Sequence, residues 1–208
     1  SVELSPEYRY ADGPVEGVVG SGLCIITNPF DIPHKKSIDP EKFTLESWVK
    51  VPQQFLDNTG WLFCKNDHEH ADGNFGFTYR DGSPTAVMNI GGHAQNLFSI
   101  PMKRELFEKD GWNHLAMSYD GKEMKAYLNG KLQGIRAINK RRTPGKQLLR
   151  VSKMGDGGSK TMQALYDQIR MWDRPLSDKE ISSHAENPAK LASRNGLVLE
   201  ENFGTENV

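Results

Sequence analysis

A chain of 208 residues can bury roughly 70% of its unfolded surface in one compact domain, so neither a metal nor a disulfide is needed to make a core. Its 26 Lys and Arg residues balance 27 Asp and Glu, which excludes the broad basic face that nucleic acid binding requires. No run of 18 or more apolar residues occurs, so no membrane-spanning helix and no membrane partner is expected.

Ser1-Val2-Glu3-Leu4-Ser5 lacks the charged segment and apolar stretch of a secretory signal. Cys24 and Cys64 each fall within a predicted strand. A bridge between them would close a loop of about 40 residues and contribute about 4 kcal/mol. Two buried free thiols fit the sequence equally well. Residues 43–51 alternate in character and place Phe43, Leu45, Val49 and Val51 on one face of a strand. Residues 61–64 and 75–79 predict two strands flanking a polar loop at 65–74, and residues 85–90 predict another, ending at Gly91-Gly92. Residues 112–119 form a strand with two distinct faces. Strands at 122–128, 131–138, 147–152 and 165–172 follow.

Asp81-Gly82, Asp120-Gly121 and Asn129-Gly130 sit at the junctions of these runs. Such pairs readily take the positive φ of a type I′ hairpin turn. Strands this closely spaced leave no room for crossover helices, so the sheets must be antiparallel. Lys140-Arg141-Arg142, with Lys146 beyond it, reads as a solvated loop. One helix start is clear: Ser177 fits an N-cap, Glu180 completes a capping box, and Leu176 and Ile181 occupy the hydrophobic-staple positions. The helix should end before Pro188. Residues 196–199 offer a last strand. With no internal repeat or linker, one domain over residues 1–208 is expected.

Several blocks, taken together and in order, resemble a known family. Gly111-Trp112-Asn113-His114-Leu115-Ala116-Met117-Ser118-Tyr119-Asp120-Gly121, followed by Tyr127-Leu128-Asn129-Gly130, resembles the signature hairpin of laminin G-like jellyroll domains. Phe43-Thr44-Leu45-Glu46-Ser47-Trp48-Val49 resembles an earlier strand of that family, and residues 166–177 resemble its closing strand and the turn into a short helix. The resemblance implies an all-β fold. This is a two-sheet antiparallel β-sandwich of the concanavalin A-like jellyroll type, with one short helix near the C-terminus. The family's usual opening strand is poorly matched by residues 8–13, whereas residues 196–203 look like such a strand. Either the last strand fills that place in the sheet, or it begins a further domain.

The same resemblance implies a calcium ion near a sheet edge, held by Asp167 of the closing strand. Asp12 is the best N-terminal carboxylate to join it, and the ion's role would be structural. In the loop at 65–74, Asp67, His68, His70 and Asn74 form the densest cluster of liganding groups. With no His-Glu-x-x-His and no Cys-x-x-Cys, a sugar-binding rim suits this loop better than a transition-metal site. Arg80, Asn89, His93 and Gln95 are candidates for the same side, with Trp61 or Tyr79 as an aromatic platform. Trp48, Trp112 and Trp172, inside strand blocks, are expected to pack the sandwich.

Catalysis lacks a signature. The paired carboxylates of a glycoside hydrolase, a Gly-x-Ser-x-Gly elbow and a cysteine with a nearby histidine are all missing from the sequence. Gly155-Asp156-Gly157-Gly158-Ser159 lacks the Lys-Ser/Thr ending of a phosphate loop. The expectation is a non-catalytic module that binds a glycan or polysaccharide, as an accessory domain of a larger extracellular or periplasmic protein. A protein-binding or adhesion module on the same fold is the alternative, and a lyase or hydrolase a weaker one.

Overall fold

The period-2 alternation of the sequence is realised as two antiparallel sheets packed face to face. The computed structural model describes residues 10–204. In spatial order, the first sheet runs β1 (Gly13–Glu16), β2 (Ser21–Ile25), β13 (Ala164–Trp172), β4 (Phe43–Lys50), β9 (Trp112–Tyr119), β10 (Glu123–Leu128) and β11 (Lys131–Ala137). The second runs β3 (Phe30–Ile32), β12 (Leu149–Val151), β5 (Gly60–Lys65), β6 (Phe75–Arg80), β7 (Ser83–Asn89) and β8 (Leu97–Pro101). The last strand, β14 (Leu197–Glu201), pairs with β13 and so fills a place in the first sheet.

Strand β13 has one edge on β4 and shares its other edge between two partners. Its residues 164–166 pair with β2 and residues 169–172 with β14. The changeover falls at Gln168, whose φ of 52° interrupts the register against β4. Such a bulge bends the strand and re-aims the side chains beside it.

Phe43, Leu45 and Val49 of β4 point into the core, as the alternation predicts, and meet Phe63, Phe75 and Phe77 of the second sheet. Phe43 and Phe75 lie 4.2 Å apart between ring centroids. Asp81 and Gly82 (φ 52° and 79°), like Asn129 and Gly130 (52° and 80°), both take positive φ, as a type I′ turn requires. Cys24 and Cys64 are free, buried thiols, and burial raises their pKa to about 11 and about 12.

Helix α1 (Asp178–Glu186) starts on the full capping box of Ser177 and Glu180 and ends at Asn187. Leu176 and Ile181 clamp it to Ala116, Tyr127 and Trp172 on the outer face of the first sheet. Under it lies Glu46, fully buried. Its carboxylate accepts from the Trp172 indole at 2.6 Å and contacts His114 Nε2 at 2.8 Å and His184 Nδ1 at 2.9 Å.

A second buried polar cluster lies at the end of the sandwich near residues 66–74. Arg142 is 1% exposed, which corrects the expectation that residues 140–146 are simply a solvated loop. Its guanidinium covers the Phe43 and Phe75 rings and donates to Asp39, to the Pro40 carbonyl at 2.7 Å and to the Gly73 carbonyl at 2.9 Å. Lys65, also fully buried, reaches Asp39 at 3.4 Å and Asn66 Oδ1 at 3.0 Å. Arg141, next to Arg142 in sequence, is exposed and pairs with Glu41 at 2.7 Å.

Candidate functional site

The loop between β5 and β6 folds against the loop between β7 and β8, which brings most of the expected rim together. Asn66 and Asp67 take φ of 64° and 70°, a conformation these residue types tolerate. The His93 amide donates to the His70 carbonyl at 2.7 Å, and the Asn89 side chain donates to the carbonyls of Glu69 and His93, both at 2.9 Å. Asp67 and His68 are half-buried, while His70, His93 and Gln95 are exposed. Asn74 is fully buried and donates to the Lys65 carbonyl at 2.7 Å, so it shapes the loop from within. Arg80 is elsewhere, at the opposite end of β6, 3.7 Å from Asp81. The two expected aromatic platforms are both buried. Trp61 is buried with Cys64 and Val87, and Tyr79 donates its hydroxyl to the Leu56 carbonyl at 3.0 Å. The half-exposed tryptophan is Trp112, which the strand pattern had assigned to packing.

Asp12 and Asp167 stand at opposite ends of the β1–β2 hairpin. Asp12 accepts from the amides of Ile26 (2.6 Å), Thr27 (2.9 Å) and Asn28 (3.1 Å) and from the Asn28 side chain (2.9 Å). What burial it has raises its pKa, but these four donors outweigh that and hold the carboxyl below its usual range. Asp167 accepts from Val19 N at 3.0 Å and Gln168 N at 2.8 Å, under the turn that joins β1 to β2. Burial raises its pKa. Each carboxylate is thus committed to its own turn, and the pair does not fit a shared calcium site. Among the described residues no three His, Cys, Asp or Glu side chains gather as a metal-holding group.

A cleft not anticipated from the sequence opens at the end of the sandwich opposite the histidine rim. Its volume is about 590 Å³, formed where the segment after β2, the segment before β5 and the segment before β13 converge. Polar side chains lock these segments together. Asn58 donates to Gln163 Oε1 at 2.6 Å, Gln163 to the Ile26 carbonyl at 3.3 Å, and Thr161 to the Thr27 carbonyl at 3.0 Å. Asp57, Thr59 and Lys160 complete the lining and are exposed. Behind the groove, Phe55 meets Tyr10 edge-on at 6.2 Å and so braces the segment that carries Asp57 and Asn58. Asp12, by capping residues 26–28, fixes one wall.

This two-sheet framework agrees with a family model, described as the concanavalin A-like lectin/glucanases superfamily, that matches residues 27–182. The chain belongs to this superfamily. Solved structures agree on the fold. The binding domain of Paraclostridial Mosquitocidal Protein 1 superposes with a TM-score of 0.67 at 17% identity, covering 84% of this chain and 45% of that one. Domain 4 of AbnA, an extracellular GH43 arabinanase from Geobacillus stearothermophilus solved in complex with arabinotriose, gives 0.62 at 16% identity, covering 85% and 82%. The receptor binding domain of botulinum neurotoxin D gives 0.64 at 12% identity, covering 86% and 46%. The chain therefore spans under half the length of the toxin domains it resembles. No curated protein matches the sequence.

In this concanavalin A-like domain the groove was hidden from sequence reading because its polar residues come from three short segments far apart in the chain. The one available signal was Asp57-Asn58-Thr59, a polar turn directly before a strand. The histidine cluster was easy to see because its members are adjacent in sequence, yet the structure spends much of that loop on internal hydrogen bonds.

Proposed function

We propose that this domain is a non-catalytic carbohydrate-binding module, part of a larger extracellular or periplasmic protein, and that it takes its ligand in the 590 Å³ groove. The observation that carries this reading is the chemistry of the lining. Two amides, two threonine hydroxyls, one carboxylate and one ammonium (Asn58, Gln163, Thr59, Thr161, Asp57 and Lys160) offer a polyol a small set of fixed donors and acceptors. The bonds Asn58–Gln163 and Thr161–Thr27 already hold three of these groups in place, which lowers the ordering cost of binding at those positions. Asp57 is the only acid among the lining residues, whereas glycoside hydrolysis normally needs two facing carboxylates. The arabinotriose complex of the arabinanase domain supports a glycan ligand for this fold.

The test is a glycan and polysaccharide array, run with calcium and again with chelator, on the wild type and Asn58→Ala. Binding retained in chelator and lost in Asn58→Ala is expected. Binding lost instead in His93→Ala and kept in Asn58→Ala would move the site to the histidine rim. An empty array would sink the reading. A protein partner would then be sought at edge strand β11, where Leu132 and Ile135 are 43% and 46% exposed.

A further inference from the structure

A second cleft, of about 220 Å³, opens at the same end of the sandwich and shares one lining residue, Asp57, with the groove. Its other walls come from Gln53 and Leu56, from the β6–β7 turn at Asp81 and Gly82, and from Arg104 and Lys109 between β8 and β9. Alone it falls below the roughly 300–1,000 Å³ typical of a self-sufficient small-molecule site. It suits an extension of a site rather than a separate one. The backbone between the clefts is fixed, because the buried Tyr79 hydroxyl holds the Leu56 carbonyl and the Phe55 amide donates to the Pro52 carbonyl at 2.8 Å. The charges here are also uncommitted. Asp57, Arg104 and Lys109 make no ion pair among the described residues, whereas Asp81 is already beside Arg80. Arg104 follows the turn closely, its side chain lying over Gly82.

We infer that the two clefts are consecutive subsites of one binding groove that takes a linear oligosaccharide, with Asp57 at the junction and Arg104 and Lys109 gripping the distal residues. This rests on the carbohydrate-binding reading and adds the length of the ligand to it. The groove of Asn58 and Gln163 holds one end of the chain. The second cleft then meets the rest as an intramolecular contact, so each added sugar gains affinity without paying again for association.

The experiment is calorimetric titration of arabinan-, xylan- and laminarin-derived di-, tetra- and hexasaccharides into the wild type and the Arg104→Ala/Lys109→Ala variant. Thermal melting of both proteins verifies the fold. For the series that binds, the hexasaccharide should bind roughly tenfold tighter than the disaccharide. The double variant should bring the hexasaccharide down to the disaccharide value and leave the disaccharide unchanged. Affinity independent of chain length would overturn this inference while leaving the carbohydrate reading in place, as would equal weakening of short and long ligands by the double variant. Failure of every oligosaccharide to bind would overturn both.

Discussion

Two of the carboxylates buried among the described residues, Glu46 and Asp39, are surrounded in opposite ways. Glu46 sits among the imidazoles of His114 and His184 and the neutral Trp172 indole, with one guanidinium, Arg170, at 3.9 Å. Asp39 sits between two basic side chains, Lys65 and Arg142, and also accepts from Asn66 at 2.9 Å and from the Gly145 amide at 2.7 Å. The first cluster meets its acid with two imidazoles, an indole and one more distant guanidinium. The second holds two cations on one acid, and it survives through its many neutral hydrogen bonds and the rings stacked on Arg142. Removing the acid should therefore cost much more in the second cluster than in the first.

The largest effect is expected for Asp39→Ala, which strands two buried cations. A loss of about 3–5 kcal/mol should appear in urea unfolding, with partial recovery in the Asp39→Ala/Lys65→Met double variant. No recovery would mean that the charge imbalance is not what Asp39 offsets. Glu46→Gln keeps one acceptor for its neighbours, so about 1–3 kcal/mol is expected in the same measurement. Equal losses at the two sites would break the comparison.

The two sites also differ in how they respond to pH. Burial alone would raise the pKa of Glu46, but the hydrogen bonds from His114 and His184 prevail and hold it well below the ordinary value of 4.5. Its stabilisation is present above that value and is lost as pH falls, and Glu46→Gln should flatten the stability curve on the acid side. Burial depresses the pKa of Lys65 below 10.5, despite the opposing pull of Asp39. The unfolded chain then binds the extra proton, so stability at this site rises as pH climbs towards 10.5. Lys65→Met should abolish that alkaline gain in melts taken across the range.

Smaller again, Ser177→Ala should cost about 1 kcal/mol by uncapping α1, read by chemical unfolding. Asn58→Ala, which removes the bond to Gln163, should cost about 0.5–1 kcal/mol while removing glycan binding.

The fold was legible because its signals are local. The alternation of Phe43, Leu45 and Val49, the Asn129-Gly130 turn and the Ser177 capping box each need only a few neighbouring residues. Glu46 and Arg142 were not legible for the converse reason. Glu46 lies in a strand read for its apolar face, and what covers its other face is His184, from a distant helix. Arg142 sits among basic residues that are solvated, and only the Phe43 and Phe75 rings with Asp39 make a site for it. For the candidate groove the limit was the same: Asn58, Thr161 and Gln163 become neighbours only once β5 and β13 are placed.

The late place of β13 in the chain, beside the early strand β4, has a consequence during synthesis. Strand β4 gains its partner β9 midway along the chain, but its other edge meets β13 only after almost everything else has been made. In the interval a nascent chain carries an open row of amides and carbonyls on the sequence Phe-Thr-Leu-Glu-Ser-Trp-Val, rich in aromatic and branched residues. Glu46 is the one charge within it. Before the helix and its histidines arrive, that carboxylate acts as a gatekeeper against mispairing with other chains, and folding later turns it into the bolt that fastens the helix.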